Sequence, residues 1–175
     1  MGDLLPTAYL GLLVALLAGT SWFVFRQILR TRKIESNLAA LRSKLSQDWG
    51  SAQEYYELGS IYLSKKLYSQ AIAQFQKALK VGQITPEEES RIYNALGFAY
   101  FSQEQYDLAI RQYKEALKRN PQYVVAFNNL ANAYEKKQLL AQALEAYEQA
   151  LSCDPSNAIA KRRAESLRRR VLPST

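Results

Sequence analysis

Three sets of side chains have types and spacing suited to recognition: Tyr56, Ser60 and Leu63; Arg91, Asn94, Phe98 and Phe101; and Asn128, Asn132 and Glu135. The sets are periodic, because Tyr56, Asn94 and Asn128 follow one another at offsets of 38 and 34 residues, as do Ser60, Phe98 and Asn132. Rings offer burial and amides offer partners for backbone N–H and C=O, which together suit the holding of a peptide segment. Catalysis finds no comparable set. The chain has no histidine, and it has no cluster of cysteines, glycines or facing carboxylates that would bind a metal, cradle a phosphate or activate a nucleophile. The expectation is therefore a binding protein with no enzyme activity, no metal and no cofactor. The single cysteine, Cys153, rules out an intrachain disulfide and fits a reducing compartment; beside the turn before Pro155 it reads as a filler or an idle thiol.

The elements that must carry these residues fall into two regimes. Residues 4–25 contain no charge across 22 positions, about 33 Å of helix, enough to cross a hydrocarbon core. They are read as one transmembrane helix; a cleaved signal peptide is the rival, though the chain starts Met-Gly-Asp rather than with a basic stretch. Asp3 precedes the span, and Arg26, Arg30, Arg32 and Lys33 follow it, so the positive-inside rule puts everything after Arg26 on the cytoplasmic side. Gly11, Ala15 and Gly19 line one helical face. That stripe reads either as a packing surface for a neighbouring helix or as small residues tolerated in lipid. The net charge of +7 is concentrated at two flanks, with six basic residues and one acidic between Arg26 and Lys44 and the same count between Lys161 and Arg170. Residues 45–160 carry eleven basic and thirteen acidic residues and are close to neutral.

Internal repetition decides the fold class. Tyr93, Leu96, Gly97, Tyr100, Ala109, Tyr113, Ala116 and Pro121 recur 34 residues later as Phe127, Leu130, Ala131, Tyr134, Ala143, Tyr147, Ala150 and Pro155. A shift of 38 in the other direction recovers Tyr55, Leu58, Gly59, Tyr62, Tyr68, Ala71, Phe75 and Ala78. The pattern resembles the tetratricopeptide repeat in three copies, placed at 52–85, 90–123 and 124–157 within 52–157. The fold class is then all-α, a tetratricopeptide-repeat helical solenoid of three repeats plus a capping helix, with one N-terminal transmembrane helix. The small residues Gly59, Gly97 and Ala131 are expected where the two helices of a repeat approach, met by Ala71, Ala109 and Ala143. The three recognition sets then fall on the first helices, which line the concave groove. Phe98 and Phe101 each have a second reading, turned into the interface between repeats. Repeats that clamp the carboxylate tail of heat-shock chaperones carry several basic residues in this groove, and here only Arg91 is basic.

The four extra residues of the first interval lie within Val81 to Glu89, where Thr85, Pro86 and Glu88 make a capping box with proline at the first helical position. The first helix of the second repeat is thus expected to start a turn early, projecting Glu87, Glu88 and Glu89 either as an acidic knob or simply as a dipole-favoured helix start. Ile34, Leu38, Leu41, Leu45 and Trp49 form an apolar stripe, so residues 26–51 read as a basic juxtamembrane helix or linker that covers the open end of the first repeat. Ala160, Ala164, Leu167 and Val171 make residues 158–171 a basic capping helix. Its charge fits a solvated cap or anionic lipid headgroups. Nucleic acid is disfavoured, because no aromatic interleaves the basic residues.

The anchor, the run from Arg26 to Glu35 and the segment Ala52-Gln53-Glu54-Tyr55-Tyr56-Glu57-Leu58-Gly59-Ser60-Ile61-Tyr62-Leu63 are similar to the cyanobacterial and plastid tetratricopeptide factors for photosystem I assembly, the hypothetical chloroplast reading frame thirty-seven family. The resemblance implies a thylakoid membrane protein, single-pass, with repeats facing the cytoplasm or stroma, that binds photosystem I subunits or assembly intermediates. Two other functions share the architecture: a bacterial inner-membrane adaptor for envelope complexes, whose repeats usually face the periplasm, and a regulatory subunit of a membrane enzyme.

Overall fold

The computed structural model describes residues 4–47, 50–82 and 84–171, which form eight α-helices and no strand. Asp3, Trp49 and Gln83, used above as flank, stripe and insertion, lie outside the described residues. The helices are α1 (Leu4–Gln47), α2 (Ala52–Ser64), α3 (Tyr68–Val81), α4 (Pro86–Ser102), α5 (Tyr106–Arg119), α6 (Val124–Lys136), α7 (Leu140–Cys153) and α8 (Ala158–Val171). They divide into two compact units, residues 1–47 and 48–175.

The first unit is α1 alone, 44 residues long. Pro6 sits in its first turn, where a missing N–H costs nothing. No break occurs at Arg26, where a separate helix or linker was expected; residues 26–47 contain neither Gly nor Pro and continue the helix in good helix formers. Leu10, Leu13, Leu16, Trp22 and Phe23 are all exposed, and α1 is the described helix long and apolar enough to cross a membrane. Thr20 donates its hydroxyl to the Leu17 carbonyl at 3.0 Å, so this polar group is satisfied within the helix.

The second unit stacks three antiparallel pairs, α2 with α3, α4 with α5 and α6 with α7, and closes with α8 against α7. The turn inside each pair is the same device. Lys66, Glu104 and Gln138 have φ near 60°. The next N–H donates five residues back: Leu67 to Tyr62, Gln105 to Tyr100 and Leu139 to Tyr134, at 2.9, 3.0 and 2.9 Å. That left-handed residue and six-to-one bond are the Schellman ending, here built without glycine. Between pairs, Asn120 and Asp154 accept from the N–H groups of Gln122 and Ser156, side-chain turns that reverse the chain beside Pro121 and Pro155.

The core is laid down by the second helices. Ala71, Phe75 and Ala78, then Ala109, Tyr113 and Ala116, then Ala143, Tyr147 and Ala150 are all buried, and Ala160, Ala164 and Leu167 of α8 complete the series. The nearest atoms to the glycines of the first helices belong to rings of the second helices. A Cβ built on Gly59 would lie 2.6 Å from Phe75 Cε1, and one on Gly97 would lie 2.6 Å from Tyr113 Cε1. The flat ring lies directly on the glycine backbone, which is why the position is small.

Candidate functional site

The groove positions of α2, α4 and α6 differ in what they leave available. On α2, the half-buried Tyr56 ring leans on Phe75 with centroids 5.7 Å apart, and Ser60 donates its hydroxyl to the Tyr56 carbonyl at 2.8 Å. Leu63 is half-buried. On α4, Arg91 is exposed and Phe98 shows 44% of its surface. Phe101 instead turns inward, edge-on to Tyr106 at 5.3 Å and packed against the core. The two open readings of the phenylalanines are thus divided between them.

One side-chain amide hydrogen bond joins neighbouring repeats. Asn129 Nδ2 donates to Asn94 Oδ1 at 2.9 Å, tying α6 to α4. Asn128 and Asn132 are half-buried, and the Asn128 Oδ1 is buried without a hydrogen-bond partner among the described residues. Such an acceptor is costly unless a donor arrives. Glu135 is already engaged: it accepts from the Tyr147 hydroxyl at 2.8 Å and pairs with Arg163 of α8 at 3.7 Å. It ties α6, α7 and α8 together rather than facing a partner.

Two residues of this face were missed by the sequence. Asn129 carries the Asn94 bond but has Glu57 and Ala95 at its repeat positions, so periodicity hides it. Tyr123 lies in the turn before α6, off the first-helix positions altogether. Burial raises its phenol above the ordinary value, the Tyr56 phenol adds to the rise, and Arg91 and Asn94 oppose it. Tyr56, Arg91, Asn94 and Tyr123 therefore form one polar and aromatic cluster. Next to it, Ala52, Gln53, Tyr56, Ile84, Glu88, Arg91 and Ile92 line a narrow cleft whose cavity volume is about 10 Å³, room for about one water.

The extra turn that opens α4 forms one wall of that cleft. Thr85 caps the helix, its hydroxyl accepting from the Glu88 N–H while Glu88 accepts from the Thr85 N–H at 2.8 Å, and this bonding holds the Glu88 carboxyl below its usual value. Glu89 takes Arg119 of α5 at 2.6 Å, and Arg119 also lies 5.3 Å from the Tyr93 ring centroid and bonds Glu115. Two of the three glutamates are thus bound up in the fold, which leaves only Glu87 of an acidic knob.

Stacked helix pairs, small residues against rings and a groove of first-helix side chains define a tetratricopeptide-repeat protein. The tetratricopeptide repeat family matches residues 50–122 and 94–158. A solved structure of MamA superposes with a TM-score of 0.73 over 81% of each chain at 23% identity. The chain is 34% identical over 150 residues to the ycf37 protein of Cyanophora paradoxa, covering 86% of this chain and 87% of that one. It belongs to the ycf37 family. It is also 37% identical over 164 residues to the chloroplastic tetratricopeptide repeat domain-containing protein PYG7 of Arabidopsis thaliana, which covers 94% of this chain and 54% of that protein, so the chain spans about half the length of this relative. Fold and relatives together point to protein binding rather than catalysis.

Proposed function

We propose that the chain is a membrane-anchored scaffold that assists assembly or stability of photosystem I in the thylakoid membrane. α1 crosses the membrane once, the solenoid stands on the cytoplasmic or stromal side, and the groove holds an extended segment of a photosystem I subunit or assembly intermediate. The observation that carries the binding reading is the exposed Phe98 ring of α4, one turn along the helix from Asn94 and its neighbours Tyr56, Arg91 and Tyr123. An exposed ring can bury a side chain of a bound segment while half-buried amides such as Asn132 meet its backbone. The anchor supports the membrane site by its length and its basic C-terminal flank. Family membership supports the plastid and cyanobacterial setting, and the photosystem I role rests on the resemblance of anchor and first repeat. Photocrosslinkers placed at Tyr56, Phe98 and Asn132 in native membranes test it. Adducts with photosystem I subunits are expected, and adducts confined to other membrane complexes would overturn the partner.

A further inference from the structure

We infer that the outward face of α8 docks on the anionic surface of the membrane that α1 crosses. The inference rests on the anchoring reading above and adds a second, electrostatic contact to it. α8 turns Ala160, Ala164 and Leu167 into the core. At 3.6 residues per turn the opposite arc carries Ile159, Arg162, Glu165, Ser166 and Arg169, with Lys161 and Arg170 at its two edges. The helix carries six basic residues and the single carboxylate Glu165. Arg163 and Arg168 are occupied, by Glu135 at 3.7 Å and by Glu148 at 2.8 Å. Lys161, Arg162, Arg169 and Arg170 are exposed and have no carboxylate partner among the described residues. Ile159, 58% exposed, sits among them.

The form of this surface selects its occupant. A protein hot spot sits in a packed, desolvated pocket, and single-stranded nucleic acid is held by stacking on rings; α8 presents an open arc and has no aromatic residue. An open arc of four basic groups against one carboxylate, Glu165, with one aliphatic side chain among them, matches a diffuse sheet of negative headgroups instead. Arginine stems can lie along the interface while Ile159 enters it. Each basic residue near such a surface strengthens docking by about five-fold.

The test uses the full chain in lipid nanodiscs, with a polarity-sensitive fluorophore on S166C in a C153S background. Discs of phosphatidylcholine alone are compared with discs that also contain phosphatidylglycerol. A blue shift is expected only in the anionic discs, reversed by high salt. The R162Q/R169Q/R170Q variant should weaken docking by roughly a hundred-fold and return the emission to that of neutral discs. The charge-matched control K80Q/R111Q/K136Q, at exposed positions outside α8, should keep the shift. Equal emission in both disc types, or loss of the shift in the control as well, overturns the inference. Failure of the chain to co-elute with the discs overturns the anchoring reading and this inference with it, whereas co-elution with unchanged emission overturns the α8 contact alone.

Discussion

Replacing Gly97 by alanine should destabilise the central repeat, even though alanine is the better helix former. The added methyl would lie 2.6 Å from Tyr113 Cε1 and 2.7 Å from Cδ1, whereas carbon atoms rest at about 3.5 to 4.0 Å. The ring must therefore retreat by about 1 Å. Tyr113 is 1% exposed, so it retreats into packed neighbours. Overpacking of this kind costs about 1 to 3 kcal/mol. Helix propensity returns about 1 kcal/mol when alanine replaces glycine, which leaves a net loss of about 0 to 2 kcal/mol. Gly97→Leu, with three further carbons in the same space, should lose more. The assay is urea unfolding of the fragment 48–175, followed by circular dichroism, in the native and Tyr113→Leu backgrounds. Without the ring the same Gly97→Ala change should become stabilising by about 1 kcal/mol. The third repeat supplies an internal comparison, since alanine stands at the equivalent position as Ala131, which is buried, and the Tyr147 hydroxyl is held by Glu135. Equal stabilisation by Gly97→Ala in both backgrounds would refute the claim that the ring on the glycine sets this packing.

Further outcomes follow from the same contacts. Burial raises the phenols of Tyr113 and Tyr147, the latter helped by its bond to Glu135, so the neutral forms are favoured in the folded state. Their contribution is complete below the unfolded value of about 10 and is lost as pH climbs from there toward the folded values; urea midpoints should fall above pH 10, and fall less in Tyr113→Phe. Thr85→Ala removes the cap of the extra turn and should cost about 1 kcal/mol, read as a shift in the same unfolding curve. The triple change Asn94→Ala, Phe98→Ala and Asn128→Ala should leave the circular dichroism spectrum intact but reduce crosslinking from Tyr56 and Asn132. Protease added to membrane vesicles whose cytoplasmic face is enclosed should spare the repeats, and digestion there would reverse the topology.

The solenoid was legible because its signals are local and repeated. Small residues, rings and prolines recur at fixed offsets, and Thr85, Pro86 and Glu88 announce the early start of α4, which the structure places at Pro86. What periodicity could not reveal was direction and contact. Phe98 and Phe101 are three residues apart on one helix, yet one is exposed and the other packs on Tyr106. Glu135 occupies a groove position by register but is drawn inward by Tyr147 and Arg163, long-range partners invisible in any single repeat. Tyr123 reaches Tyr56, Arg91 and Asn94 from a turn, where a helix-face argument does not look. The Arg26 charge cluster suggested a boundary, but α1 continues through it because charge does not end a helix that lacks glycine and proline.

The central claim is that the groove serves photosystem I from the membrane. Low-temperature chlorophyll fluorescence reads the ratio of photosystem I to photosystem II in cells that lack the chain, carry it intact, or carry the Asn94, Phe98 and Asn128 triple alanine variant. The account predicts a lower photosystem I share both in cells lacking the chain and in cells with the groove variant, the latter while the protein remains in the membrane fraction. An unchanged ratio in cells lacking the whole chain would contradict it.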